Sequence, residues 1–433
     1  MSTTSTGATT ERGALVARIV NARQRTDRLF ALVSTDALYE RPIAERHRIV
    51  FYIGHLEAFD WNLMQPRLAR TAVFDPALDR LFAFGIDPVD GGLPHDRPGD
   101  WPALDAVYRY RDRVREALDG ALEENPFEDW GGEEAPPTIL NVALEHRLMH
   151  AETLAYMFHQ LPLMQKQLEP QTPVPDTGPA ASDWMDIPAG VARLGLSRRE
   201  PAAFGWDNEF EAHTVNVPAF SIERYKVTNR RYLEFLQAGG YQDRSVWTPE
   251  AWDWKERNGI SHPVFWKRSG GQWMYRTMFD EIPLPPEWPV YVSHAEASAF
   301  ALWSGNRLPS EAEWHRAAAE APEPASESGY FDMERWDPYP VNAFPASRSR
   351  YGVEGLVAGG WEWTSTLFEP FAGFQPFPFY KGYSADFFDG KHYVLKGGST
   401  RTAASMLRHS FRNWFQPHYQ YVYAGFRCAG GPT

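Results

Sequence analysis

The residues best placed to do chemistry are the pair in His146-Arg-Leu-Met-His150-Ala-Glu152. Two side chains four apart on a helix lie about 40° apart around its axis and one turn apart along it. Both imidazoles can therefore meet one metal ion, as the pair on a zincin helix does. Glu152, two positions beyond His150 and about 200° round the helix from it, does not share that face. A third ligand has to come from elsewhere, and His55 is the best candidate. It lies in Phe51-Tyr-Ile-Gly-His55-Leu-Glu-Ala-Phe59, one turn from each Phe, on an apolar stripe that faces a core. Three His from two helices leave coordination positions open, which suits Fe(II), Zn or Ni. Spacing alone leaves open that His55 is a hydrogen-bonded packing residue. Glu57 and Asp60, beside it, read as solvated groups or as groups behind the ligands.

These histidines need helices to carry them. Residues 11 to about 165 have helical rhythm. Glu11 to Ser34 places Leu15, Ile19, Leu29 and Leu32 on one stripe. Pro42 opens a second helix that runs to about Arg70, Pro102 a third to about Leu122, and Pro136-Pro137 precede a fourth from Ile139 to about Gln160. Between the second and third, Gly85 to Pro98 is rich in Gly, Pro and Asp and reads as a loop. Four such helices predict a bundle over residues 11–165. Residues 1–10, without a basic start or an apolar stretch, read as a disordered tail and not a signal peptide.

Residues 166–183, rich in Pro, Gln and Thr, read as a linker. From 184 to 433 the grammar changes. Short β-like runs appear at His213–Val217, Phe220–Ile222 and Tyr393–Leu395. Helical islands fall at Asn229–Gln237 and His294–Ser304, with a third starting at Ser310. This half reads as α+β with long loops. Aromatic residues make up 15% of the chain, with 17 Trp placed mostly after residue 180. Long loops need such packing to stay ordered. The formal net charge of −13, with no basic run, argues against nucleic acid as a partner. No window approaches the ~18 consecutive apolar residues of a membrane span. The single cysteine, Cys428, excludes an intrachain disulfide and favours the cytoplasm.

The second half carries an ordered set of motifs: Ser221-Ile-Glu-Arg-Tyr-Lys-Val-Thr-Asn229-Arg-Arg-Tyr232, Pro289-Val-Tyr-Val-Ser-His-Ala-Glu-Ala, Arg307-Leu-Pro-Ser-Glu-Ala-Glu-Trp314, Gly360-Trp-Glu-Trp363-Thr, Val394-Leu-Lys-Gly-Gly398-Ser, Phe411-Arg-Asn-Trp414 and Ala424-Gly-Phe-Arg427. Over about residues 184 to 430 it resembles the formylglycine-generating-enzyme (sulfatase-modifying factor) domain, a C-type-lectin-like fold. The helical half resembles a DinB-like four-helix bundle. Together, with His55 and His146-x3-His150-x-Glu152, the chain resembles the iron-dependent sulfoxide synthases of ergothioneine biosynthesis and their sister group, the selenoneine synthases. It departs from the usual motifs at Ala358-Gly-Gly-Trp-Glu-Trp363 and at Gly397-Gly-Ser-Thr400. Met149 stands between the paired His, where the family often has a substrate-binding residue.

The resemblance implies Fe(II) held by His55, His146 and His150, and a substrate cleft between bundle and lectin-like domain. It implies hercynine, O2 and a chalcogen donor as substrates. The donor is a selenosugar, cysteine or γ-glutamylcysteine. Leu81-Phe-Ala-Phe-Gly-Ile-Asp-Pro-Val-Asp-Gly-Gly-Leu-Pro94 and Asn413-Trp-Phe-Gln-Pro-His-Tyr419 resemble the cysteine and selenium types. The lack of a tyrosine in Leu81–Phe84 leans towards selenium. Tyr393 is the candidate phenol for proton or electron delivery, or else a packing residue. Trp414 and Tyr419 are candidates for cation–π contact with the trimethylammonium group, or for packing. Arg412 and Arg427 are candidates for clamping a carboxylate, Arg427 equally for a structural ion pair. Arg307, Glu311 and Glu313 read as scaffold. A DinB-type thiol S-transferase using Zn or Ni, and a non-catalytic binding module, are the alternatives. A formylglycine-generating enzyme needs two cysteines, and one is present.

Overall fold

The structure is a computed structural model; it describes residues 4–69, 75–83, 95–124, 133–175, 177–181, 183–199, 204–322 and 324–431. Most of the expected Gly85–Pro98 loop, and the Phe84–Pro94 part of the donor-type segment, lie outside the described residues. The chain forms two compact units. One is Met1–Glu169 with Phe377–Phe379; the other is Pro170–Pro376 with Tyr380–Thr433.

The first unit is built on α1 (Thr4–Ala31), α2 (Ile49–Met64), a short α3 (Pro76–Phe82), α4 (Leu104–Glu124) and α5 (Pro136–Gln160). Helix α1 packs on α5, and α2 packs on α4, α5 and α3. The stripe read from the sequence, Leu15, Ile19, Leu29 and Leu32 in α1 and just beyond it, is buried; so are Val107, Val114 and Leu118 in α4. Two expectations need correction. Helix α1 starts at Thr4, so it covers much of the stretch read as a tail; adding residues to an existing helix costs far less than starting one. Helix α2 starts at Ile49 and not at Pro42. Before it, Arg48 is tied outward: its Nε donates to Asp96 Oδ2 at 3.0 Å and its Nη1 to the Tyr39 carbonyl at 2.7 Å. Helix α2 is buried almost all round. It contains Gly54, where a Cβ would stand 2.4 Å from the Phe82 ring. The missing side chain lets α3 close on α2.

The stretch read as a linker is held down. Near its start, Gln167 N–H donates to the Leu32 carbonyl at 2.7 Å, and Ser34 N–H to the Gln165 carbonyl at 2.9 Å. Within the second unit, Gln171 Nε2 donates to Asp337 Oδ2 at 2.7 Å, and Thr177 Oγ1 to Asn342 Oδ1 at 2.7 Å. Extended, proline-rich backbone makes few bonds with itself, so its polar groups pair with their surroundings.

The second unit contains β1 (Trp184–Ile187), β2 (Gly190–Leu194), β3 (His213–Val217), β4 (Phe220–Glu223), α6 (Asn229–Gln237), α7 (Pro249–Arg257), β5 (Trp266–Ser269), β6 (Gln272–Arg276), β7 (Glu281–Pro283), α8 (His294–Trp303), α9 (Glu311–Ala317), β8 (Gly360–Leu367), α10 (Gly382–Ala385), β9 (Tyr393–Gly398), β10 (Asn413–Phe415), β11 (Ala424–Gly425) and β12 (Ala429–Gly430). The larger sheet has the order β10-β9-β8-β11, antiparallel except for the parallel pair β8/β11. The others are β1-β4-β12, β5-β6-β7 and β2-β3. Helices α8 and α9 open on reciprocal capping boxes, Ser293 with Glu296 and Ser310 with Glu313. In the Gly-Gly motif of β9, Gly397 has φ +87°, and a Cβ there would meet the Leu356 carbonyl at 2.4 Å. That explains why the sequence places Gly there. Among the described residues, no helix is long and apolar enough to cross a membrane.

Candidate metal centre

The first unit brings His55 of α2 together with His146 and His150 of α5. All three are buried, and their ligand atoms lie within 4.8 Å of one another. His55 Nδ1 is 2.7 Å from the Phe82 carbonyl. A carbonyl accepts only, so Nδ1 carries the proton and Nε2 keeps a lone pair for a metal. The carbonyl belongs to the last residue of α3, and Tyr110 of α4 fixes that helix by donating to Asp79 Oδ1 at 2.6 Å. His146 Nε2 and His150 Nε2 stand 3.1 Å apart. Two nitrogens at about 2.1 Å from one ion, 90–110° apart, are separated by about 3.0–3.4 Å. Flat contacts orient the rings: Phe59 stacks on His146 at 3.5 Å and 9°, and Phe51 on His55 at 4.8 Å and 21°.

Burial keeps all three imidazoles neutral, which a metal ligand requires. It lowers His55 to about 4 despite the raising effect of the Phe82 carbonyl. It takes His146 and His150 well below the usual value, helped by the neighbouring histidines and by Arg147. The donor set therefore fits a divalent transition metal with open positions.

Behind the ligands lies a charged network that the sequence reading undervalued. Glu57 and Asp60 are not solvated; each is about 1% exposed. Arg147, next to His146, donates to Glu57 Oε2 at 3.0 Å, to Asp60 Oδ2 at 2.6 Å and to the Leu56 carbonyl at 3.1 Å. Arg115 of α4 donates to Glu57 Oε1 at 2.7 Å and to both oxygens of Asp27 on α1. Four helices are joined through these charges. Burial alone would raise the Glu57 carboxyl, but Arg147 and Arg115 overcome it and hold it low. Burial, with Glu57 nearby, raises Asp60 against the pull of Arg147. The sequence signal for this network was available: Glu57 and Asp60 follow His55 on its helix, and Arg147 follows His146. The membership of Phe377–Phe379 in this unit, with the Phe379 ring 5.4 Å from the Arg67 guanidinium, carried no signal.

Of the other predicted residues, Met149 belongs to the helical unit and the rest to the sheet-rich unit. Met149 is half-buried on α5. Tyr393, at the start of β9, stacks on His294 at 3.7 Å and 20°. Trp414 stacks on Phe368 at 4.2 Å, and Tyr419 on Phe415 at 5.0 Å. The guanidiniums of Arg412 and Arg427 are turned onto glutamates and carbonyls of their own unit. Arg412 pairs with Glu311 at 3.0 and 3.2 Å and donates to the carbonyls of Asn208 and Glu369. Arg427 pairs with Glu362 at 2.7 Å twice and donates to the carbonyls of Glu223, Arg224 and Glu354. A guanidinium has five N–H groups; these contacts use all five of Arg427 and four of Arg412. Glu311 and Glu313 serve the scaffold: Glu313 caps α9 and also binds Arg307 at 2.6 and 2.7 Å.

A helical bundle presenting three histidines, joined to a sheet-rich unit, defines a two-part architecture. The DinB superfamily model matches residues 18–154, and the sulfatase-modifying factor enzyme 1-like domain matches residues 170–431. Among curated proteins, the hercynine oxygenase of Mycolicibacterium smegmatis is 33% identical, over 96% of this chain and 99% of its own length. That of Mycolicibacterium thermoresistibile is 32% identical, over 96% and 95%. Ergothioneine biosynthesis protein 1 of Neurospora crassa is 27% identical, over 92% of this chain and 55% of that protein. The chain belongs to the hercynine oxygenase family, a family of oxygen-dependent oxidoreductases.

Proposed function

We propose that the protein forms a bond between a chalcogen and carbon 2 of the hercynine imidazole, using O2 and a non-heme Fe(II) held by His55, His146 and His150. The three-histidine cluster carries this reading; the full-length similarity to hercynine oxygenases supports it. Fe(II) bound there would activate O2 and acidify a bound thiol or selenol. The chain's own part is to keep three imidazoles neutral and aimed, through the Phe82 carbonyl and the Phe59 and Phe51 rings. Tyr393 is our candidate for delivering a proton. Trp414 and Tyr419 offer faces to the trimethylammonium group, and Met149 an apolar contact beside the ligands. Arg412 and Arg427 receive no substrate role.

A selenosugar is the donor we favour, which makes the reaction a selenoneine synthesis. Within the described part of Leu81–Phe84, the side chain that closes on α2 near His55 is Phe82, fully buried and without a hydroxyl. The second reading, a sulfoxide synthase using cysteine or γ-glutamylcysteine, draws on the names of the relatives. The test is anaerobic loading with Fe(II), then O2 and hercynine with each donor in parallel. A selenium isotope pattern on hercynine from the selenosugar alone is the expected result. A hercynylcysteine sulfoxide mass would transfer the assignment to sulfur. Iron binding without hercynine consumption under any donor would overturn both, and a DinB-type thiol S-transferase would replace them.

A further inference from the structure

Arg401, just after β9, is 1% exposed, and its guanidinium is poorly matched. Its Nε, Nη1 and Nη2 find no hydrogen-bond acceptor among the described residues. One face of the group lies on the Tyr423 ring, 3.6 Å from the centroid. Asp337 faces it only at 3.7 Å. That carboxylate already accepts from Met278 N–H at 2.9 Å and from Gln171 Nε2 at 2.7 Å. Tyr275 is fully buried in the same aromatic cluster: its ring packs on Phe265 at 6.3 Å, and Phe265 packs at 5.8 Å on the Tyr423 ring that carries Arg401; its hydroxyl likewise has no partner among the described residues. Arg335, 6% exposed, brings a second positive charge to bear on Asp337, while its Nε and Nη1 donate to the carbonyls of Pro338 and Thr172. Two guanidiniums against one carboxylate leave one positive charge in excess, away from solvent.

Burying a guanidinium without acceptors is strongly unfavourable. Neutral acceptors would satisfy its N–H groups and leave the charge. A small anion satisfies both at once. We propose that the second unit holds a buried site for a monovalent, halide-sized anion, with the Arg401 guanidinium and the Tyr275 hydroxyl as its donors. The site is structural and independent of the metal centre.

The test starts from full-length protein exchanged into potassium gluconate and titrated with potassium bromide at constant ionic strength. The melting temperature should rise saturably by about 2–4 °C. Tyr275→Phe, which removes only the hydroxyl, should need about tenfold more bromide for half the effect, the equivalent of one lost hydrogen bond. Arg401→Met should abolish the dependence. Crystals grown in bromide should show an anomalous peak beside Arg401, a readout that does not depend on either variant folding. A wild-type melting temperature equal in bromide and gluconate would overturn the proposal, as would crystals without that peak.

Discussion

Both units bury guanidinium–carboxylate pairs, but to different ends. In the helical unit, Asp27, Arg115, Glu57, Arg147 and Asp60 run from helix to helix, one residue from His146 and two from His55. In the sheet-rich unit, Glu362 holds Arg427 and Lys226, and Glu311 holds Arg412 and Lys396. There the arginines also collect carbonyls, mostly from outside the named strands and helices: Asn208, Glu369, Arg224 and Glu354, with Glu223 at the end of β4. A helix satisfies most of its own backbone, so its buried charges meet chiefly each other, with the Leu56 carbonyl as one further acceptor of Arg147. Long loops leave carbonyls without partners, and a buried arginine with five donors can gather them. The same chemistry therefore orients metal ligands in one unit and replaces secondary structure in the other.

The strongest way to separate the two is His150→Ala. It should remove the metal and drop turnover to background, against accelerations that are typically about 10⁶-fold or more. Metal analysis and thermal unfolding together check it: bound metal is lost while the fold persists. Arg427→Met should do the reverse. It leaves Glu362 buried without its main partner, at a cost of about 3–5 kcal/mol measured by denaturant unfolding. The protein that still folds should bind metal at unchanged stoichiometry. Glu57→Gln lies between: it loosens Arg147 behind the ligands and should weaken metal affinity about 10–100-fold in a chelator competition. An unchanged affinity would make the helical network a purely structural device, like its counterpart.

Much of this was legible in the sequence because it is periodic. The i, i+4 spacing places His146 and His150 on one face, and the apolar stripe around His55 puts it inside. The islands at Asn229–Gln237 and His294–Ser304 emerge as α6 and α8 because Thr228 and Ser293 cap them. What periodicity does not carry was missed. Helix α3 is seven residues long, and its contribution to the site is a backbone carbonyl, which every residue type supplies equally. Helix α7 and the β5-β6-β7 sheet escaped because their short runs alternate charged and aromatic residues with little apolar pattern. Arg412 and Arg427 look alike whether they bind a substrate or a glutamate 101 or 65 residues away; only the fold reveals the glutamate.

The smallest effect tests the one feature that the helical network does not share, a cation able to lose its proton. Lys226 is buried, and that burial lowers it to about 8, with Arg427 adding to the fall and Glu362 opposing it. In the unfolded chain it titrates near 10.5. Between those values the unfolded chain binds more protons, so this group makes stability rise with pH, by roughly 1 kcal/mol per pH unit at most. Lys226→Met removes that contribution while tyrosines and other lysines titrate equally in both proteins. The unfolding free energy of the wild type should therefore gain on that of the variant from pH 8 to 10. A difference that stays flat over this range would mean that Glu362 holds Lys226 charged as firmly as Glu57 holds Arg147, and the two units would then differ only in what their networks position.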